Sequence, residues 1–291
     1  MSRKPPHNMN TPSKLSKYYY KTLWGIFFVA LALGLALRIF LKNYLTDVQT
    51  GFYLQQSHWL VSVFTALLLG TAVLLPLLNF LRRGGADYQV RNTNALLSIV
   101  GLLAGAALVY YVLTGLPDPL GPVNPDTNLR FVAGMRMVHY LLGVLAGLSL
   151  LVSSLLTLLR KSTPSLILLL PAIWQLVLLF GRFSGYYAIL YIADFHLAIL
   201  FMFFSVLFYL GHARTLSDLG RVDGRNYVLS AGLCMALCGA LLVIPNYVYM
   251  LLYSSIMPAD LLSMPESLYV SVASIYGLLF AAQYTKSMKN V

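Results

Sequence analysis

An aspartate and a histidine, Asp194 and His196, lie within the otherwise apolar stretch 186–204. Placing an aspartate at the centre of a membrane helix costs about 2.5–3.5 kcal/mol, so such residues are candidates for function. A carboxyl group and an imidazole in hydrocarbon can move protons or bind a cation or polar solute. The alternative is a structural hydrogen bond between helices, and the sequence leaves both roles open.

Gln175, in the preceding apolar segment, is the predicted partner of Asp194. The two residues lie about nine and ten positions from the turn that joins their segments, which places both about 13–15 Å deep at 1.5 Å per residue. A short connection makes these helices antiparallel neighbours, so we expect a Gln175–Asp194 hydrogen bond. His196 lies about 200° around the helix from Asp194 and is expected to face elsewhere.

A second set of polar residues lies nearer the predicted outer surface: Arg38, Arg136, His139 and Asn246. Arg136 and His139 are three positions apart and share one helix face. Guanidinium groups bind phosphate through paired hydrogen bonds, so this outer polar patch is suited to the head of a lipid-like substrate. The alternative is that the arginines extend to lipid headgroups and His139 satisfies a structural hydrogen bond.

Composition shows which elements must position these residues. The chain has 291 residues, of which 59% are hydrophobic and only 10% are charged, against about 25% charged in soluble domains. Apolar runs of about 20 residues are long enough to cross a bilayer, and in lipid such runs must be helical. We therefore predict an all-α transmembrane bundle of about eight spans, near 22–42, 59–81, 95–115, 136–159, 164–182, 186–211, 227–253 and 267–285.

The basic residues predict the orientation of this bundle. With a cytoplasmic N-terminus, 15 of the 20 basic residues lie inside, which satisfies the positive-inside rule and accounts for the net charge of +11 without a nucleic-acid partner. Both termini are expected in the cytoplasm and the protein in the plasma membrane, with lipid as its surroundings. The predicted domains are a disordered basic tail over 1–21, the bundle over 22–285 and a short tail over 286–291.

Glycines four residues apart predict close helix packing in the third and fourth spans, at Gly101–Gly105 and Gly143–Gly147. Small residues at this spacing let helices approach closely inside a bundle. No nucleotide-binding or catalytic motif is present, and the only two cysteines lie one turn apart in the seventh span without a partner of metal-site spacing. We expect neither a cofactor nor a metal ion.

The segment after the first span contains Asp47, Thr50, Gly51, Phe52 and Tyr53, a DxxTGFY-like pattern. With the layout of spans and short basic inner loops, it resembles uncharacterised polytopic membrane proteins of Gram-positive anaerobes. This resemblance implies a membrane protein and carries no known activity.

Three functions remain open from the sequence. The first is a carrier or binding protein for a small or amphipathic solute, lined by Asp194, Gln175 and His196. The second is a membrane-embedded enzyme that acts on a lipid-like substrate at the outer interface, and the third is a non-catalytic subunit or scaffold.

Overall fold

The computed structural model describes residues 14–47, 53–54, 58–81, 95–114, 129–161, 163–184, 193–216, 226–253 and 262–289. These residues form eight α-helices and no strands, which confirms the predicted all-α bundle. The helices are α1 (Lys14–Tyr44), α2 (His58–Leu81), α3 (Ala95–Thr114), α4 (Leu129–Leu158), α5 (Ser165–Ser184), α6 (Ala193–Leu216), α7 (Asn226–Leu252) and α8 (Met264–Lys289).

Seven of these helices are long and apolar enough to cross a membrane, and the protein is a multi-pass membrane protein. The exception within the described residues is α5, whose apolar part, Leu166–Gly181, is shorter. Hydrocarbon offers backbone groups no hydrogen-bond partners, so each apolar run satisfies its own as a helix.

Several described helices extend beyond the predicted spans: α4 begins at Leu129 and α8 at Met264, against predicted starts of 136 and 267. Helix α1 starts at Lys14, so residues 14–21 of the predicted tail are helical, while residues 1–13 lie outside the described residues. Helix α6 is described from Ala193, and the predicted start of the sixth span at 186 lies outside the described residues. Asp194 is the second residue of the described helix.

Helices α3 to α8 form a closed ring. Each packs against its neighbour in sequence, and α8 packs against both α7 and α3. Helices α1 and α2 pack against each other and against the outside of α7. Helix α7 is consequently the most enclosed, with 83% of its most apolar window buried.

A polar chain joins one end of α1, α2 and α7. The Tyr19 hydroxyl donates to Asn79 Oδ1 at 2.6 Å, and Asn79 Nδ2 donates to Ser230 Oγ at 3.3 Å. Further along, α1 packs closely on α7, because a Cβ added to Gly34 would lie 3.0 Å from Leu241. Helices α1 and α7 therefore run in the same direction. We call the end with this polar chain the inner end of the bundle, and the opposite end the outer end.

The prediction that the glycine pairs pack helices closely within the bundle is confirmed, and the structure shows that they pack α3 on α4. A Cβ added to Gly105 would lie 2.9 Å from the Gly147 carbonyl oxygen, so the two backbones nearly touch. No side chain fits between them, which is the reason for glycine at both positions.

This contact predicts that Gly105→Ala destabilises the protein. The added methyl group meets backbone atoms, which cannot rotate away, and overpacking of this kind costs about 1–3 kcal/mol. Thermal unfolding of the purified protein in detergent measures the loss. Gly70→Ala in α2 is the matched control, because nothing lies within 4 Å of a Cβ added there. Equal unfolding temperatures for both variants would contradict the close α3–α4 approach.

A second prediction concerns topology. If all eight helices cross the membrane, both termini lie on one side, and the positive-inside rule places that side in the cytoplasm. A C-terminal alkaline phosphatase, which folds only outside the cytoplasm, should be inactive, and the same reporter after residue 47 should be active. Activity at the C-terminus would mean an odd number of crossings or the reverse orientation.

Candidate functional site

The interior of the ring holds a cluster of three large aromatic side chains from α3, α5 and α8. Tyr111 and Tyr269 stack with their ring centroids 5.8 Å apart and their planes at 6°. Trp174 meets both rings edge-on, at 6.2 Å from Tyr111 and 5.9 Å from Tyr269. All three are almost completely buried. This arrangement brings aromatic rings and two phenol hydroxyls into the centre of the bundle.

Gln175 is the polar residue at the centre of this cluster. It is fully buried, and its Nε2 donates a hydrogen bond to the Tyr269 hydroxyl. Its Oε1 has no hydrogen-bond partner among the described residues. A buried carbonyl oxygen without a partner costs about 1–3 kcal/mol, which makes this oxygen an acceptor available to a water or ligand.

A cavity of about 10 Å³ lies beside Gln175, with room for about one water molecule. Its polar lining includes Tyr111, Tyr269 and Glu266, and its remaining lining is apolar. Glu266 is in the first turn of α8 and is buried, and its backbone N–H donates to Ser263 Oγ at 3.3 Å. The ring interior therefore encloses a carboxyl group, an amide and two phenols around one water-sized space.

The sequence prediction missed Glu266, Trp174 and the two tyrosines of this cluster. The last predicted span started at 267, which left Glu266 in a loop. An acidic residue in the first turn of an apolar helix is the signal that locates it, since carboxylates favour helix N-termini. No sequence signal marks the three aromatic residues, because their contacts join helices far apart in the chain.

His139 belongs to the ring interior. Only 2% of its surface is exposed, and its imidazole lies 5.9 Å from Trp174. One turn later, Gly143 makes room for the indole, because a Cβ added there would lie 2.7 Å from Trp174 Nε1. Gly143, predicted as a helix-packing residue, thus also determines where Trp174 sits.

Arg38 is also buried, with 2% of its surface exposed. It does not extend to the lipid headgroups: its Nη1 donates to the Tyr53 hydroxyl, and its Cζ lies 5.8 Å from the Tyr53 ring centroid. Tyr53 reaches this position because the chain after α1 folds back, pairing Thr46 with Tyr53. This backbone pairing therefore fixes Tyr53 in contact with the Arg38 side chain.

Asn246 is level with Arg38 on the neighbouring helix α7. The two residues lie four and five positions beyond the contacting pair Gly34 and Leu241 on parallel helices, about 6–7.5 Å along each axis. Asn246 is fully buried, and neither of its amide atoms has a hydrogen-bond partner among the described residues.

The structure places members of the predicted outer polar patch separately. Arg38 lies one turn beyond Gly34 on α1, and His139 lies inside the ring against Trp174. Asn246 is about 140° around α7 from Leu241, so it does not share the face of α7 that meets Gly34. The side chain of Arg136 lies outside the described residues, so its association with His139 stays a prediction. The side chain of Asp194 also lies outside the described residues, so the Gln175–Asp194 hydrogen bond stays a prediction too.

His196 lines a second and larger cavity, an outer cleft between α2 and α6 with a volume of about 330 Å³. The lining is Tyr53, Val61, Phe64, Thr65, Leu68, Leu69, His196, Leu197, Ile199 and Leu200. Helix α6 separates this outer cleft from the ring interior. The α6 residues Ala198, Phe201 and Met202 line the water-sized cavity. Different faces of α6 therefore line the outer cleft and the ring cavity.

No known protein family, curated protein or solved structure matches the chain. The resemblance in layout and in the loop after α1 therefore assigns no family. Of that loop pattern, Thr50, Gly51 and Phe52 lie outside the described residues, and Tyr53 is the residue that covers Arg38.

The Gln175–Tyr269 contact predicts a measurable coupling between the two side chains. Gln175→Leu and Tyr269→Phe each remove one side of the hydrogen bond, so the double variant should lose less stability than the sum of the single changes. Interhelical hydrogen bonds in membranes average about 0.6 kcal/mol and reach about 1.7 kcal/mol, which sets the expected coupling. Thermal unfolding in detergent measures all four proteins of the cycle.

Asp194→Leu provides the comparison for that cycle. If Gln175 pairs with Tyr269, combining Asp194→Leu with Gln175→Leu should give additive losses. Coupling to Asp194 with additivity to Tyr269 would instead support the sequence-based pairing and contradict the observed one.

Proposed function

We propose that the protein binds or carries an amphipathic solute in the outer cleft between α2 and α6. The observation that carries this proposal is the cleft itself. Its volume of about 330 Å³ falls within the range of small-molecule pockets, about 300–1,000 Å³. A solute that leaves bulk lipid for this cleft exchanges one apolar environment for another, so its polar head must supply the selectivity.

The lining supports an occupant with an apolar chain and a polar head. Most of the wall is formed by aliphatic side chains and Phe64, which suit a hydrocarbon chain. His196 comes from the beginning of α6 and Tyr53 from the chain just after α1, so both lie at the outer end of the cleft. Their imidazole and phenol groups offer hydrogen bonds to a head group there.

Arg38 favours a negatively charged head. Its guanidinium remains protonated in proteins and donates to the Tyr53 hydroxyl, so it places a positive charge behind a residue of the lining. That hydrogen bond uses the Tyr53 oxygen as its acceptor, so the phenol O–H points away from Arg38. The favoured occupant is therefore an anionic amphiphile with one long apolar chain.

The other two functions make different demands. An enzyme acting on a lipid-like substrate would use Arg136, His139 and Arg38 together. His139 is buried inside the ring, on the other side of α6 from the cleft, whereas Arg38 contacts Tyr53 of the cleft lining. A subunit or scaffold requires no ligand. Binding of a defined amphiphile in the cleft therefore separates the solute-binding function from both.

The test measures binding of a fluorescent long-chain fatty acid to the protein in nanodiscs. Leu69→Trp adds a large ring to the cleft wall and should weaken binding at least about tenfold, a loss of about 1.4 kcal/mol. Val73→Trp is the matched control, because it adds the same ring one turn further along α2, where 65% of the valine is exposed. It should bind like the parent protein.

Unchanged binding in Leu69→Trp would contradict the cleft as the site, and no binding by the parent protein would favour the scaffold. The head is tested by comparing the fatty acid with its methyl ester. Tyr53→Phe should reduce the preference for the acid and leave affinity for the ester unchanged.

A further inference from the structure

Buried hydroxyl and imidazole groups line the ring from its outer end to its inner end. Tyr269 and Tyr276 lie two turns apart on α8, about 10.5 Å along the helix, and Tyr209 and His212 face them from α6. At most 5% of any of these four side chains is exposed. We refer to these four residues as the polar column.

The contacts within the polar column follow one order. The Tyr276 hydroxyl and His212 Nε2 are hydrogen-bonded at 3.1 Å. The Tyr209 hydroxyl interacts electrostatically with the hydroxyls of both Tyr269 and Tyr276, and the interaction with Tyr269 has hydrogen-bond character. The Tyr209 oxygen does not meet strict hydrogen-bond geometry with any described residue. Because that geometry is set by the positions of the oxygen atoms, a movement of the Tyr209 side chain, and not a rotation of its O–H bond alone, completes the link.

Both ends of the polar column reach towards the membrane surfaces. At the outer end, Tyr269 lines the water-sized cavity together with Glu266, in the first turn of α8. At the inner end, His212 lies three residues before the end of the apolar span His196–Thr215, about 4.5 Å from its boundary. His212 Nδ1 has no hydrogen-bond partner among the described residues.

The walls of the polar column exclude lipid and bulk water. Phe208 stacks on His212 at 5.7 Å between ring centroids, and Phe280 meets His212 edge-on at 4.8 Å. In such a dry environment an unpaired polar group costs about 1–3 kcal/mol. A purely structural role explains the paired Tyr276 and His212 Nε2, but not the buried Tyr209 hydroxyl or the unpaired His212 Nδ1.

We propose that the polar column is a proton relay through the six-helix ring. A hydroxyl group both accepts and donates a hydrogen bond, so it can take a proton from one neighbour while it passes its own proton to the next. Chains of carboxyl and imidazole groups serve this purpose inside membrane proteins. The relay belongs to the ring and rests on the residues of the ring, not on the solute proposed for the outer cleft.

The transfer conserves protons at every group. A proton leaves the Glu266 carboxyl group, crosses a water in the cavity and binds the Tyr269 oxygen, whose own proton moves to Tyr209. Tyr209 passes its proton to Tyr276, and Tyr276 passes its own to His212 Nε2. The imidazole then releases the proton from Nδ1 towards the inner end. The released proton passes to water at the inner end, and the Glu266 carboxylate regains a proton from water at the outer end. Rotation of the hydroxyls and return of the imidazole tautomer then restore the starting state, and no oxidation or reduction occurs.

The test measures proton flux into sealed vesicles that contain the purified protein and an internal pH-sensitive dye. A potassium gradient with valinomycin sets the membrane potential. The parent protein should acidify the vesicle interior faster than protein-free vesicles. Tyr209→Phe keeps the ring and removes the hydroxyl, and it should reduce the flux to the protein-free rate. His212→Phe should do the same.

Tyr20→Phe is the matched control, because Tyr20 is a tyrosine of α1 with 1% of its surface exposed, outside the ring. It should conduct like the parent protein. Thermal unfolding accompanies each flux measurement, and Tyr209→Phe should be no less stable than the parent, since it removes a buried hydroxyl that meets strict hydrogen-bond geometry with no described residue. Parent vesicles that acidify no faster than empty ones, or a Tyr209→Phe protein that conducts like Tyr20→Phe, would overturn the relay.

Discussion

A membrane helix loses contact with lipid only when other helices surround it, and in this protein that condition applies most fully to α7. It closes the ring between α6 and α8 and carries α1 and α2 on its outer side. Lipid provides no hydrophobic driving force for helices to associate, so the central position of α7 depends on close van der Waals packing. Small residues supply it: a Cβ added to Gly232 would lie 3.1 Å from the Gly277 carbonyl oxygen of α8, and one added to Gly34 of α1 would lie 3.0 Å from Leu241. The ring and the outer cleft both depend on these contacts.

Close packing also determines the sizes of the water-sized cavity in the ring and of the outer cleft, and so what each can hold. The ring is narrow because α3 meets α4 through backbone contact at Gly105 and Gly147. Its interior is filled by aromatic side chains and leaves space for about one water. Helices α2 and α6 each pack on α7, and the larger cleft opens between them. The water-sized cavity of the ring is lined in part by groups that can exchange protons. The outer cleft is lined mainly by groups that suit a hydrocarbon chain, so the two cavities differ in both size and chemistry.

The sequence predicted the features that depend on local composition. Each apolar run is long enough to demand a helix on its own, and the spacing of Gly101–Gly105 and Gly143–Gly147 identified the α3–α4 contact. Contacts between distant helices were not predictable. Gln175 could be matched with a polar residue on the next helix, but Tyr269 comes beside it only because α8 closes the ring. For Arg38 the sequence left open an outer polar patch or extension to the lipid headgroups, and it did not predict Tyr53 as its partner, because no sequence rule shows that the chain folds back over it.

Helix α6 joins the two proposed sites in one rigid element. Within a few residues of its outer end, His196 and Leu197 line the cleft while Ala198 and Phe201 line the ring cavity, because successive residues of a helix point in different directions. The same helix carries Tyr209 and His212 towards α8. A ligand between α2 and α6 that shifts α6 by a fraction of an ångström therefore changes the spacing between its hydroxyl and imidazole groups and those of α8. Coupling between sites requires an element with different contacts in two states, and it acts equally in both directions. Because the Tyr209 hydroxyl interacts with two tyrosines of α8, such a shift changes both of these interactions at once.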